Sequence, residues 1–139
     1  MISDVKPYAI YENLPNISYR IIEYLMTSPD AEIIWKLLKY DDADAYSRPN
    51  LTLEEKSKLI YNGEAVLSKY NVFFDYMMDD AEDQMKTLLR IYPAEVYPTT
   101  RVTGICTVNL EVFTHSKINH LSNYTTRVDV IIQTLLKVL

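Results

Sequence analysis

The chain has 139 residues and a mass of 16.2 kDa, long enough for one hydrophobic core and too short for two, so residues 1–139 are expected to form a single domain. With 48% apolar and 24% charged residues it lies far from compositions that stay disordered, and a net charge of -5 argues against a protein that grips nucleic acid by its phosphates. No apolar run is long enough to cross a bilayer and the first residues lack the apolar block of a signal peptide, so the product is expected in the cytoplasm where it is made.

Residues 1–13 show no period and read as an extended arm, with Tyr8, Ile10 and Tyr11 available to anchor it on a partner. Ile17, Ile21, Tyr24 and Leu25 then recur at helical steps, with Asn16 placed to cap, and predict a helix ending near Thr27. Ser28 before Pro29 is a restart signal for a second helix through Ile33, Ile34, Leu37 and Leu38 to about Tyr40. After a polar break, Thr52 and Glu55 fit a capping box for a third helix that should stop near Tyr61, with Asn62 and Gly63 supplying a left-handed turn.

From there the character turns to strand. Aromatic and β-branched residues predict one strand over residues 71–77 and a second over 85–92, joined by an acidic turn and stopped by Pro93. Residues 94–97, flanked by Pro93 and Pro98, read as an exposed loop or edge segment. A clean alternation follows: Val102, Gly104, Cys106, Val108, Leu110 and Val112 face the core, while Ile105, Thr107, Asn109, Glu111 and Phe113 face water. Val128, Ile131, Ile132, Leu135, Leu136 and Leu139 keep a helical stripe that should lie on the sheet, and the apolar end at Leu139 implies either a buried last turn or a chain cut in mid-helix. The fold class read from this order is α+β: N-terminal helices, a small antiparallel sheet, and a C-terminal amphipathic helix packed on it.

Motifs for chemistry are missing. The two glycines, Gly63 and Gly104, cannot form a phosphate-cradling loop, and no serine sits in a nucleophile elbow. His115 and His120, with Cys106 upstream, lack a spacing that fixes metal geometry, and neither acidic cluster matches a calcium loop. Cys106 reads as a small core residue. The chain is therefore read as a non-enzyme with no cofactor and no metal. Its twelve tyrosines fit either an interface or a nucleotide bias in the coding sequence.

The stretch Trp35 to Ile60 resembles small virion proteins of tailed bacteriophages. It pairs a helix ending Leu37-Leu38-x-Tyr40 with a break at Asp44 and Ala45, and then Ser47-x-Pro49-x-Leu51-Thr52-x-Glu54/Glu55-Lys56. A long strand ending in His115, a short loop, and a helix opening with Arg127 and carrying Ile131 and Leu135 extend the resemblance from residue 16 to 139. The resemblance implies a neck or tail-completion protein of the tail-terminator or head-tail-joining kind. Such proteins are small α+β subunits that form hexameric or dodecameric rings with other neck and tail proteins in the virion. DNA then only passes through the lumen, with no specific nucleic-acid binding and no membrane contact, and an acidic chain suits that passage. A baseplate or other tail component, and a small adaptor binding a host protein, are the alternatives. Interface candidates are Tyr40, Asp44, Pro49 and Leu51 in the first loop, Glu95, Tyr97 and Arg101 in the second, Phe113 on the wet sheet face, and Arg127. Arg127 could bridge to an acid of a neighbour or form an ion pair at its own helix start.

Overall fold

The computed structural model describes residues 14–64, 67–75, 85–100 and 103–139. The expected arm at 1–13, the acidic turn within 76–84, and Arg101 and Val102 lie outside the described residues.

Three helices come first, α1 (Ile17–Thr27), α2 (Glu32–Lys39) and α3 (Leu53–Lys58); strands β1 (Val72–Phe73), β2 (Thr87–Pro98) and β3 (Gly104–Thr114) follow, and α4 (Arg127–Val138) closes the chain. The α+β reading holds. Both early helices start and stop where the spacing predicts, but a single turn of tighter helix, Pro29–Ala31, fills the restart, and neither Asn16 nor Ser28 uses its side chain as a cap. The buried face of α1 is also rotated from the expected one: Ser18, Ile22, Leu25 and Met26 go inward while Tyr24 is exposed. Helix α2 lies at the centre of the core, and Trp35 is its largest contribution, fully buried with its indole Nε1 donating to the Leu25 carbonyl at 3.0 Å.

The capping box of α3 is present in both directions: Glu55 N donates to Thr52 Oγ1 at 3.2 Å, and Thr52 N donates to Glu55 Oε1 at 3.3 Å. Replacing Thr52 by Ala should lower the unfolding free energy by about 1 kcal/mol in urea titrations followed by circular dichroism. The helix stops earlier than expected, with Leu59 still in right-handed geometry, because Ile60 bridges to Val72 of β1 and the chain must straighten to do so. Gly63 does take the left-handed conformation, at φ 96°, but in the loop beyond that bridge and not at the helix end.

The sheet runs β1-β2-β3 and is mixed: β2 and β3 are antiparallel as expected, but β1 pairs with β2 in parallel through Val72–Leu89 and Phe73–Arg90. β1 and β2 are therefore not the two arms of a hairpin, since parallel neighbours cannot be joined by a tight turn. Of the expected strand over 71–77, the described residues 71–75 keep only Val72 and Phe73 in strand, and 76 and 77 lie outside the described residues. The amides of Asn71 and Val72 turn to the Leu59 carbonyl at 2.8 and 3.0 Å, tying that stretch to the end of α3. The Asn71 side chain is buried and donates to both the Leu38 and Thr87 carbonyls at 2.8 Å, joining α2 to β2.

Strand β2 overturns two further expectations. It does not stop at Pro93, and residues 94–97 are not a loop: pairing with β3 continues to Pro98–Gly104, with a register shift between Pro93 and Glu95. Beyond Arg90 only β3 pairs with β2 among the described residues, so a proline can face the open edge without costing a ladder bond. On β3, Val108, Leu110 and Val112 pack on the core as expected, and Cys106, further out, is only half-buried. Helix α4 lies against α2 and β3 but meets them along a narrow stripe through Arg127, Ile131 and Leu135. The neighbouring stripe of Ile132, Leu136 and Leu139 is exposed, Leu136 by 80%, so the last turn is not buried.

Candidate interaction surface

The first loop folds onto its own subunit. Tyr40 ends α2 half-buried, with the Arg48 guanidinium 5.6 Å and the Lys39 ammonium 5.5 Å from its ring centre. Arg48 pairs with Asp42, and Lys39 with Glu55. The Asp44 carbonyl accepts from Ser47 N at 2.9 Å and Ser47 Oγ at 2.7 Å, and the Tyr46 hydroxyl bonds Ser122 Oγ at 2.7 Å. Asp44 and Pro49 stay exposed, whereas Leu51 is buried at 5% exposure in the main core. Leu51 is thus no contact for a partner; the loop that made it look exposed drops it back inward just before the Thr52 cap.

Arg127 is the larger correction. It is fully buried, at 0% exposure, and among the described residues it makes no ion pair at its own helix start. Its Nη1 donates to the carbonyls of Leu37 and Tyr40 at 2.7 Å each, its Nη2 to that of Asp42 at 3.0 Å, and its Nε to that of Ile118 at 3.1 Å. Burial pushes this guanidinium below its ordinary value, opposed by the nearby Asp41 and Asp42. The Leu37 and Tyr40 carbonyls belong to the end of α2, where the last turn lacks intrahelical donors and the helix dipole favours a cation. Arg127 is a cap for another helix.

Lys86 shows the same pattern. Burial lowers its ammonium to about 8, against a weaker opposing pull from Asp41, and its Nζ donates to the Ser68 carbonyl at 2.8 Å and to that of Tyr70. Both of these cations thus bond to backbone carbonyls. Among the described residues no group of three His, Cys, Asp or Glu side chains could hold a metal, and the His115 ring accepts from Lys117 N at 3.2 Å, capping the turn Ser116–Ile118. No helix of the described residues is long and apolar enough to cross a membrane.

The second candidate segment and the wet sheet face come together on one feature, the ribbon of β2 and β3. From Pro93 to Thr100 every residue of the outgoing strand and turn is exposed, so the ribbon projects past the core. Tyr97 and Ile105 are cross-strand partners on its outer face, 55% and 59% exposed, with Glu95 and Thr107 next along that face. The tip is held by threonines: the amides of Thr99 and Thr100 both donate to the Thr103 carbonyl at 3.0 Å, and Thr103 N donates to Thr100 Oγ1 at 2.9 Å. At the base of the same face Phe113 lies exposed with the Arg90 guanidinium 4.2 Å above its ring, and Arg90 also bonds Glu111 at 2.7 Å. Sequence alternation located Phe113 and Ile105; it missed the continuity of the face because the prolines hid the outer half of β2.

A family model, YomW, matches residues 31–139, from the turn before α2 through the ribbon to the last residue. The chain belongs to the YomW family. That family takes its name from a gene of a Bacillus phage region, and the chain is accordingly phage-associated. The YomW match covers α2, the Arg127 anchor and the whole ribbon, and leaves α1 outside it. No curated protein and no solved structure matches the chain.

Proposed function

We propose that the chain is a structural subunit of the virion neck or tail end, assembling as a hexameric or dodecameric ring that completes the tail or joins it to the head. The observation that carries this reading is the β2–β3 ribbon, which extends past the core with Tyr97 and Ile105 side by side at its outer end. A paired strand arm that buries little in its own subunit gains its stability from a neighbour, and an arm on one surface fitting a different surface of the next copy is the heterologous contact from which rings close. Phage association supports the setting, and a net charge of -5 suits a lumen past which DNA slides.

Light scattering after size exclusion, with electron micrographs of any large species, tests it: discrete sixfold or twelvefold particles are expected. The double variant Tyr97→Asp, Ile105→Asp should dissolve them to monomers with the helical circular dichroism unchanged. A protein that stays monomeric at high concentration and also fails to join tail tubes added to it sinks the reading in favour of an adaptor, and assembly with a different symmetry on baseplate proteins moves it elsewhere in the tail.

A further inference from the structure

Beyond the bridge from Ile60 to Val72 the chain turns at Asn62 and Gly63, and two tyrosines hold that turn. The Tyr61 hydroxyl donates to the Glu64 carbonyl at 2.8 Å, and the Tyr70 hydroxyl donates to Asn62 Oδ1 at 3.1 Å. The two rings meet edge to face with centres 5.3 Å apart, and Tyr70 is buried, so its hydroxyl is fixed in place. The Glu64 amide donates to the same Oδ1, also at 3.1 Å. Asn62 is itself exposed, and among the described residues neither its Nδ2 nor the Gly63 amide donates to another group.

We infer that Asn62 is a self-modifying site, at which the Gly63 nitrogen attacks the Asn62 side chain and converts it to aspartate or isoaspartate. Hydroxide takes the proton of the Gly63 amide, the nitrogen bonds to Cγ of Asn62, and the carbonyl electron pair moves onto Oδ1. That oxygen then carries the negative charge, and the Glu64 N–H and the Tyr70 O–H already point at it, as donors do in an oxyanion hole. When the pair returns, the bond from Cγ to Nδ2 breaks, and Nδ2 leaves as ammonia with a proton from water, which restores the hydroxide. Water opens the cyclic imide at either carbonyl. Glycine suits the attacking position because it has no Cβ to hinder the approach and takes φ 96° without strain. The space beside it is open, since a Cβ there would meet nothing within 4 Å, so hydroxide reaches the amide. Burial raises the Tyr70 hydroxyl above its ordinary value, with Glu64 adding to the rise, which keeps it a donor as the pH climbs. Each converted subunit gains a negative charge beside the small apolar cluster of Tyr70, Phe73 and Leu88, and the turn thereby records the age of the chain. The inference stands apart from the ring proposal, which concerns the ribbon.

The chain carries its own control. Asn123 Oδ1 also accepts two donors, Thr125 N at 3.3 Å and Thr125 Oγ1 at 2.5 Å, and the next residue is again left-handed, but it is Tyr124, whose Cβ hinders the attack. The test is to incubate the native full chain at mildly alkaline pH and follow both asparagines over time by peptide mapping and mass spectrometry, which separates amide from acid and aspartate from isoaspartate. Asn62 is expected to convert severalfold faster than Asn123, at a rate that rises with pH, and Tyr70→Phe should slow it severalfold while leaving Asn123 unchanged. Equal rates at the two asparagines, or a rate at Asn62 that Tyr70→Phe does not alter, would overturn the inference. A second measurement serves if Tyr70→Phe fails to fold: unfolding the unsubstituted chain in guanidinium chloride removes both donors, so Asn62 should convert faster in the native chain than in the unfolded one. A native rate equal to or below the unfolded rate refutes the role of the turn, whether or not the protein forms rings.

Discussion

Replacing Arg127 by Ala should cost about 4 kcal/mol of folding stability, a large share of the roughly 5–15 kcal/mol by which domains of this kind are held. Four carbonyls from three separate places, the end of α2, the loop at Asp42 and the turn at Ile118, lose their donor at once. A buried carbonyl left unpaired costs about 1–3 kcal/mol. The total is held below the sum because the guanidinium is itself expensive to bury, as the lowering of its pKa by burial records. Lys in its place should recover only part of the loss, since an ammonium on a flexible stem cannot serve Leu37, Tyr40, Asp42 and Ile118 in one fixed fork. Urea titration of the Ala, Lys and Met variants, followed by circular dichroism and tryptophan fluorescence from buried Trp35, measures the order. A loss under about 1 kcal/mol for Arg127→Ala would mean that water replaces the side chain and that it anchors nothing.

What the chain let be read in advance, and what it hid, divides along one physical line. Periodicity reports which residues are apolar, and so it found α1, α2, the alternation of β3 and the existence of α4. It says nothing about how wide a stripe the neighbouring element will cover, and α4 carries two apolar stripes of which the core takes the one through Ile131 and Leu135. Charged residues mislead in the same way. Arg127 reads as an ion-pair former at an interface or a helix start because its type is rarely buried, and it and Lys56 are buried only because carbonyls from distant segments, Leu37 or Met26, are brought to them. Prolines misled about β2, since the rule that they end a strand holds where both edges are paired, and the outer half of β2 has one partner among the described residues. Of the nine interface candidates, Asp44, Pro49, Glu95, Tyr97 and Phe113 are exposed, Tyr40 is half-buried under two cations, Leu51 and Arg127 belong to the interior, and Arg101 is outside the described residues.

The second large effect is expected at Lys56, where substitution by Ala should destabilise the chain by about 3 kcal/mol. Lys56 lies on α3 at 3% exposure; its Nζ donates to the Met26 carbonyl, at the end of α1, at 2.8 Å and also pairs with Glu32 Oε1 at the first residue of α2. One ammonium thus holds three helices together. The carboxylate of Glu32 depends on it, because its other oxygen, Oε2, is buried without a hydrogen-bond partner among the described residues. Removing the lysine strands that carboxylate and the Met26 carbonyl together, whereas removing both charged groups strands only the carbonyl. The double variant Glu32→Ala, Lys56→Ala should therefore be less destabilised than the sum of the single variants by about 1–2 kcal/mol. Lys58, two residues on, is the natural control: its pair with Glu54 spans 3.5 Å with both side chains mostly in water, and Lys58→Ala should leave the urea midpoint nearly unmoved. Additive single effects at Glu32 and Lys56 would show that the ammonium is held by the Met26 carbonyl alone, and the junction of the three helices would then rest on the apolar contacts of Leu25, Ile34 and Trp35.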